Sequence, residues 1–342
     1  MPSSLPIQNN VALRAFNTFG IDATAARYIR IESTDTLRAV AADYQLAAMP
    51  RLVLGGGSNI VLSGDFNGLV LHMCTSGIQV SGELDEAVLV TAAAGENWHQ
   101  FVLWTLAHDL PGLENLSLIP GSVGASPIQN IGAYGVEMKD RFHSLTLFDM
   151  SDGQTRVLHR ADCDFSYRDS VFKHALRDRA VIVDVTFALP KRWQPSIAYT
   201  ELSNELRARG ITEPTPMQVA DAVIAIRQRK LPDPARIGNA GSFFKNPLVA
   251  ASIRDALLSA HPDMVSYRQA DGSYKLAAGW LIEQCGWKGR VQGAAGVYEK
   301  QALVLVNLGG ATGAEVMQLA AAIRADVAKR FGVELEPEPI LV

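Results

Sequence analysis

Between Ile119 and Gly135 the chain reads IPGSVGASPIQNIGAYG: four glycines, two prolines and two side-chain amides among small and aliphatic residues. So many turn formers break a helix or strand pattern, and the segment is too apolar to stay disordered. Loops longer than about 12–15 residues are usually functional or disordered. The spacing therefore predicts an extended functional loop or a helix start over Leu116–Gly135. Small residues let a backbone approach a bulky planar ligand. Gln129 and Asn130 offer the donors and acceptors that a heterocycle edge needs. The alternative reading is a long structural loop.

A second glycine run, Leu54-Gly55-Gly56-Gly57-Ser58-Asn59, lies between two short apolar segments. Its backbone N–H groups can cradle an anion such as pyrophosphate, or it is a tight turn. It is neither a P-loop nor a Rossmann fingerprint, because GxxxxGK[ST] is missing and the glycines lead back into the strand-like Ile60–Leu62. Apolar periodicity predicts strands at Leu52–Leu54, Asn59–Leu62, Ala87–Ala94, Ser144–Asp149, Ala180–Ala188 and Ala302–Asn307. It predicts helices at Glu96–His108, Thr215–Arg229, Ala277–Cys285 and Gly313–Phe331. Leu231–Pro247 reads as turns, and the final VELEPEPILV as an extended run with Glu334, Glu336 and Glu338 on one face. Strands and helices without regular alternation point to an α+β fold.

At 342 residues the chain has room for about two domains. A net charge of −4 argues against a nucleic-acid binder and leaves room for an anionic small ligand met by a few local cations. Cys74, Cys163 and Cys285 are far apart, so no CxxC pattern arises, and free thiols fit a reducing compartment. The opening MPSSLPIQNN lacks the features of a signal peptide, and no apolar run reaches the ~18 residues of a membrane span. Seven scattered histidines without HExxH give no support for a metal. The expectation is a cytoplasmic monomer with no nucleic-acid partner, no membrane insertion and no metal.

Two further segments carry chemistry. In Phe165–Lys173 (FSYRDSVFK), Arg168 between aromatics can pair a carboxylate bidentately, or simply form a surface ion pair. In Gly238–Pro247 (GNAGSFFKNP), Ser242 follows a glycine outside any GxSxG elbow. It is a candidate proton donor or a turn serine.

In order along the chain stand NTFG (Asn17–Gly20), LGGGSN, GLENLSLIPGSVGASPIQNIGAYG, YRDSVFK, KLPDP (Lys230–Pro234), NAGSFFKNP, AAGWLIEQCGWKG (Ala277–Gly289) and LEPE (Leu335–Glu338). Taken together they resemble the UDP-N-acetylenolpyruvoylglucosamine reductase family, from Asn17 to Glu338. The segment around Tyr199 is similar to the tyrosine loop of the family's first subtype. The resemblance implies an FAD-binding region of the vanillyl-oxidase (PCMH) type over residues 17–190, in two subdomains of about 17–75 and 76–190. A C-terminal α+β substrate domain over 200–342 follows, its last strand returning to the active site. It implies NADPH as co-substrate, non-covalent FAD and a UDP-sugar substrate. FAD falls to Gly55, Gly56, Gly57, Ser58 and Asn59, and to Pro120, Gly121, Ser122, Gly124, Ala125, Ser126, Gln129, Asn130, Ile131 and Gly132. Arg168, Ser242 and Glu338 take catalytic roles, with Ser242 as proton donor. Tyr167, Tyr199, Lys230 and Asn246 hold the UDP-sugar. To donate a hydrogen bond Glu338 has to carry a proton, which burial favours. One departure is that Pro339 and Ile340 follow LEPE, where the family commonly has a β-branched and then a basic residue. Proline removes a backbone donor beside the proposed acid.

Two rivals differ in class. A carbohydrate oxidase of similar fold tethers its flavin through a histidine in the first glycine loop, and Leu54–Asn59 has none. A non-catalytic UDP-sugar binder has no need of Arg168, Ser242 and Glu338 together.

Overall fold

The computed structural model describes residues 5–342, which form two compact units, each discontinuous in sequence. One comprises residues up to Val11, Ala25–Gly57 and Phe66–Arg229; the other comprises Ala12–Thr24, Ser58–Asp65 and Lys230–Val342.

The first unit contains two larger sheets and a small hairpin, Gly132–Ala133 with Val136–Glu137. In the four-stranded sheet, Thr24–Ile31 and Arg51–Leu54 both run parallel to the central Phe66–Met73. A central parallel strand is covered on both faces, so its apolar residues run continuously rather than alternating; Leu69, Val70 and Leu71 are all fully buried. The helix Thr34–Ala42 makes the crossover, its start capped by the Ser33 hydroxyl accepting from Thr36 N–H. The five-stranded antiparallel sheet has the order Gln154–His159, Phe142–Asp149, Ala180–Pro190, Ala87–Ala93, Ile78–Glu83. The helix Trp98–Ala107 buries Trp98, Phe101, Val102 and Thr105, the face its spacing predicts. The Phe101 and Trp98 rings lie 5.2 and 5.8 Å from that of Phe187. Truncating an aromatic so buried costs about 3–5 kcal/mol. Asp149 ends its strand as a buried carboxylate gripped by Arg179 (2.8 Å), Arg156 (2.5 Å) and the Ser151 hydroxyl (2.6 Å). The Arg179 hydrogen bonds hold its carboxyl well below the usual carboxylate range.

The second unit has a four-stranded antiparallel sheet, Gly238–Ser242, Val304–Asn307, Ala295–Val297, Val291–Gln292. The helix Gly313–Phe331 packs Val316, Leu319, Ala320, Ile323 and Val327 inward at three- and four-residue steps. Its predicted bounds hold because both ends are signalled: a capping box between Thr312 and Glu315, and Gly332 left-handed at φ 66°. The strand Gly238–Ser242, by contrast, lies inside what reads as turns. Its small and polar residues carry no apolar alternation, and its pairing is irregular between Asn239 and Ser242. The NTFG segment clasps this strand. Asn239 N–H donates to Thr18 O (3.0 Å), Thr18 Oγ1 donates to Asn239 O (2.7 Å), and a methyl on Gly238 would stand 2.1 Å from Phe19 O. In the final run Glu334 and Glu336 are exposed but Glu338 is half-buried, so the three do not share one environment. Only Ile340–Leu341 is a strand there, parallel to Ile60–Val61.

Among the described residues no helix is long and apolar enough to cross a membrane, and no cluster of three His, Cys, Asp or Glu side chains could hold a metal ion.

Candidate functional site

In the first unit the two glycine segments meet backbone to backbone. A Cβ on Gly56 would fall 2.8 Å from Gly121 Cα, and one on Gly55 2.4 Å from Ser122 Oγ. Gly57 and Gly121 have φ of +58° and +119°, which side-chain-bearing residues rarely adopt. Gly124 is locked behind them by its N–H bond to Ala94 O (2.9 Å). The result is a surface of main chain rather than side chains, as a pyrophosphate-containing dinucleotide requires, so these residues fit FAD. Gly56→Ala is expected to cost roughly 1–3 kcal/mol of stability by overpacking, read as a lower urea midpoint at unchanged slope. An unchanged midpoint would mean that the two segments separate freely.

The side chains of this loop divide in use. Ser126 is buried and donates to Val123 O (2.7 Å). Asn130, fully buried at φ +44°, donates to Glu137 Oε2 and Ser166 O and accepts from Lys139 N–H. Its amide is thus spent on the protein, as is its N–H, which donates to Pro127 O (3.2 Å). Ser122 and Ile131 are buried, Gln129 is half-buried, and Pro120 and Ala125 are exposed.

The Asn130 peptide has a second task. The Arg168 guanidinium donates to Gly132 O (2.6 Å) and Asn130 O (3.4 Å) and lies 5.4 Å from the Tyr167 ring centre. Arg168 itself sits at φ +55°, and the Lys173 ammonium holds its carbonyl (2.9 Å). Left-handed backbone on a non-glycine residue costs of order 1–3 kcal/mol and clusters at functional sites. The loop and the YRDSVFK segment are therefore one construction.

Two groups nearby are not among the site residues that the sequence suggests. Arg227, half-buried on the helix Pro216–Lys230, donates to Leu118 O (3.2 Å). Desolvation lowers its pKa; Tyr134 opposes that shift, and the like charge of Arg168 adds to it. Tyr134 lies edge-on to Tyr199, ring centres 5.4 Å apart, and burial pushes its phenol up to about 12. A second cation and a second tyrosine thus join Arg168 and Tyr199. An arginine on a helix ordinarily reads as a solvated face, so Arg227 was invisible to spacing.

In the second unit Ser242 ends its strand one residue after Gly241, itself at φ +70°. Asn239 sets this turn, its Oδ1 accepting from Gly241 N–H and its amide donating to Pro232 O and Ile237 O. Glu338 is brought alongside, since its N–H donates to Phe243 O (2.8 Å) and Phe244 bridges Pro337. Pro339 does not break this pairing, because the bonded N–H groups belong to Glu338 and Ile340. Ser58 and Asn59 leave the glycine run half-buried. Asn246 Oδ1 accepts from Ala278 N–H (2.9 Å) and so holds the start of the helix Ala278–Gln284. Lys230 is the half-buried last residue of its helix.

Comparison with known proteins agrees with this geometry. Residues 25–159 match the family described as FAD binding domain. Residues 233–342 match the C-terminal domain of UDP-N-acetylenolpyruvoylglucosamine reductase. The reductase of that name from Paraburkholderia phymatum is 58% identical over 341 residues, covering 99% of each chain. That of Paraburkholderia phytofirmans is 58% identical over 330 residues, 96% of this chain and 95% of its own. The crystal structure of the reductase from Thermus caldophilus shares the fold, with a TM-score of 0.69 at 23% identity over 98% of this chain and 99% of that one. The chain belongs to the UDP-N-acetylenolpyruvoylglucosamine reductase family.

Proposed function

We propose that this chain reduces the enolpyruvyl ether of UDP-N-acetylglucosamine to the lactyl ether of UDP-N-acetylmuramate, a step of peptidoglycan precursor synthesis, with NADPH as reductant. The observation that carries this reading is 58% identity to a reductase of that name over 99% of both chains. Bound non-covalently, FAD supplies hydride transfer from NADPH to the β-carbon of the enolpyruvyl group. The chain's own residues do the rest. Charge left at the α-carbon spreads into the adjacent carboxylate. The planar guanidinium of Arg168, already oriented by two carbonyls, stabilises it. Ser242 gives a proton to the α-carbon; a hydroxyl is a weak acid, but an enolate dianion is a strong base. Glu338, protonated, donates a hydrogen bond to the developing enolate. Tyr167, Tyr199, Lys230 and Asn246 hold the UDP-sugar, and the two glycine segments hold the cofactor. The enzyme works as a cytoplasmic monomer.

The purified chain is expected to be yellow, to release its flavin on acid precipitation, and to oxidise NADPH only when the enolpyruvyl substrate is present. A colourless protein, flavin retained by the denatured polypeptide, or NADPH oxidation that needs oxygen and ignores that substrate would each sink the reading.

A further inference from the structure

The segment that carries Glu338 has little regular structure of its own. Lys245 N–H donates to Glu336 O (3.0 Å), and Glu338 N–H donates to Phe243 O (2.8 Å). Pro339 has no N–H to contribute. On its far side the chain is caught by one residue. Ile340 N–H donates to the Asn59 carbonyl (2.9 Å), and the Asn59 side-chain amide donates to the Glu338 carbonyl (3.3 Å). The grip is extended by Val342, whose N–H donates to Val61 O (2.9 Å) and whose carbonyl accepts from Ser63 N–H and Ser63 Oγ (2.7 Å each).

We infer that Asn59 is a positioning residue for Glu338, fixing by this two-point grip where the Glu338 side chain starts; the inference rests on the role proposed for Glu338 in substrate reduction. The physical reason is geometric. A carboxyl is carried to its target through three side-chain torsions, so a small rotation of its peptide moves it by more than a catalytic contact tolerates. Phe243 O fixes the peptide before Glu338, and Asn59 fixes the peptide after it and the next N–H beyond Pro339. The Glu338 backbone is thereby held on both sides although it lies outside any regular strand. The family resemblance gives Asn59 to the flavin; a grip on Glu338 predicts a different failure.

Two variants attack the grip from opposite ends. Asn59→Asp keeps size and the backbone carbonyl but replaces the amide donor with a carboxylate facing the Glu338 carbonyl. Ile340→Pro deletes the other hydrogen bond, leaves Asn59 and the glycine run untouched, and keeps the inference testable if Asn59→Asp does not fold. Each is compared with Glu338→Ala, and Asn59→Asp also with the double variant. Bound flavin is read from absorbance, and its reoxidation by saturating enolpyruvyl substrate by rapid mixing. Ile340→Pro, and the flavin-loaded fraction of Asn59→Asp, are expected to be reduced by NADPH and to lose reoxidation rate by roughly tenfold to a hundredfold. The double variant is expected to be no slower than Glu338→Ala alone, because the grip has nothing left to place. Multiplicative losses in the double variant, wild-type reoxidation in the grip variants, or flavin loss from Asn59→Asp with a normal rate in its loaded fraction would overturn the inference alone. Wild-type reoxidation in Glu338→Ala would remove the proposed role of Glu338 and the inference with it.

Discussion

In a Ser242→Ala protein, flavin reduction by NADPH is expected to persist while reoxidation by the enolpyruvyl substrate slows about 10²–10⁴-fold, the range that a positioned general acid supplies. The two halves separate because only the second requires a proton at carbon. Ser242 is set up for that work by its surroundings. Asn239 fixes the turn before it, Gly241 supplies the left-handed backbone, and Phe243 N–H is tied to Leu303 O (2.7 Å). Removing one hydroxyl from the end of this strand disturbs none of those bonds, so the variant folds and the kinetic result is interpretable. Ser242→Cys refines the measurement: a thiol can still give a proton, so partial recovery over alanine is expected. Normal reoxidation in folded Ser242→Ala would leave Ser242 as a turn residue and end the assignment.

Arg168→Lys is expected to lower the rate of substrate reduction by about 10²–10³-fold, comparable to losing one preorganised donor to a developing anion. The Arg168 fork spans two carbonyls, Gly132 O at 2.6 Å and Asn130 O at 3.4 Å. A lysine keeps the charge but is a point donor on a flexible stem and cannot reproduce that plane. The left-handed backbone at position 168 is equally strained with either side chain, so stability should fall only by the lost carbonyl contact, about 1 kcal/mol, and the larger loss should fall on kcat. Steady-state turnover and thermal unfolding measured on the same sample distinguish these. Wild-type turnover would reduce Arg168 to a structural residue.

The legible parts of this chain were those whose signals are local. The helix Gly313–Phe331 announced both ends through Thr312, Glu315 and Gly332. The glycine segments were conspicuous by composition. What composition cannot carry is which distant segment each one meets. Gly56 against Gly121 and Asn59 against Glu338 are contacts between residues far apart in sequence. The strand Gly238–Ser242 was read as turns because its pairing rests on small residues and on the NTFG clasp, and no apolar alternation marks it. Arg227 went unread for the opposite reason, since its surroundings rather than its spacing make it unusual. Asn130 was legible as a polar residue of a long loop, but its amide is used to build the loop.

The second unit is drawn from Ala12–Thr24, Ser58–Asp65 and Lys230–Val342, and this has a consequence during synthesis. Chains leave the ribosome N-terminus first, at about 5–20 residues per second. Ile60–Val61 therefore emerges on the order of tens of seconds before its strand partner, Ile340–Leu341. Phe19 and Thr18 wait for Gly238 and Asn239 in the same way. Through that interval an apolar strand edge stands unpaired, which is the state most open to wrong pairing between nascent chains. The first unit has no such wait, its last residue being Arg229. The exposure to wrong pairing thus falls on the segments around Phe19 and Ile60, which stay open until those around Gly238 and Ile340 have been made.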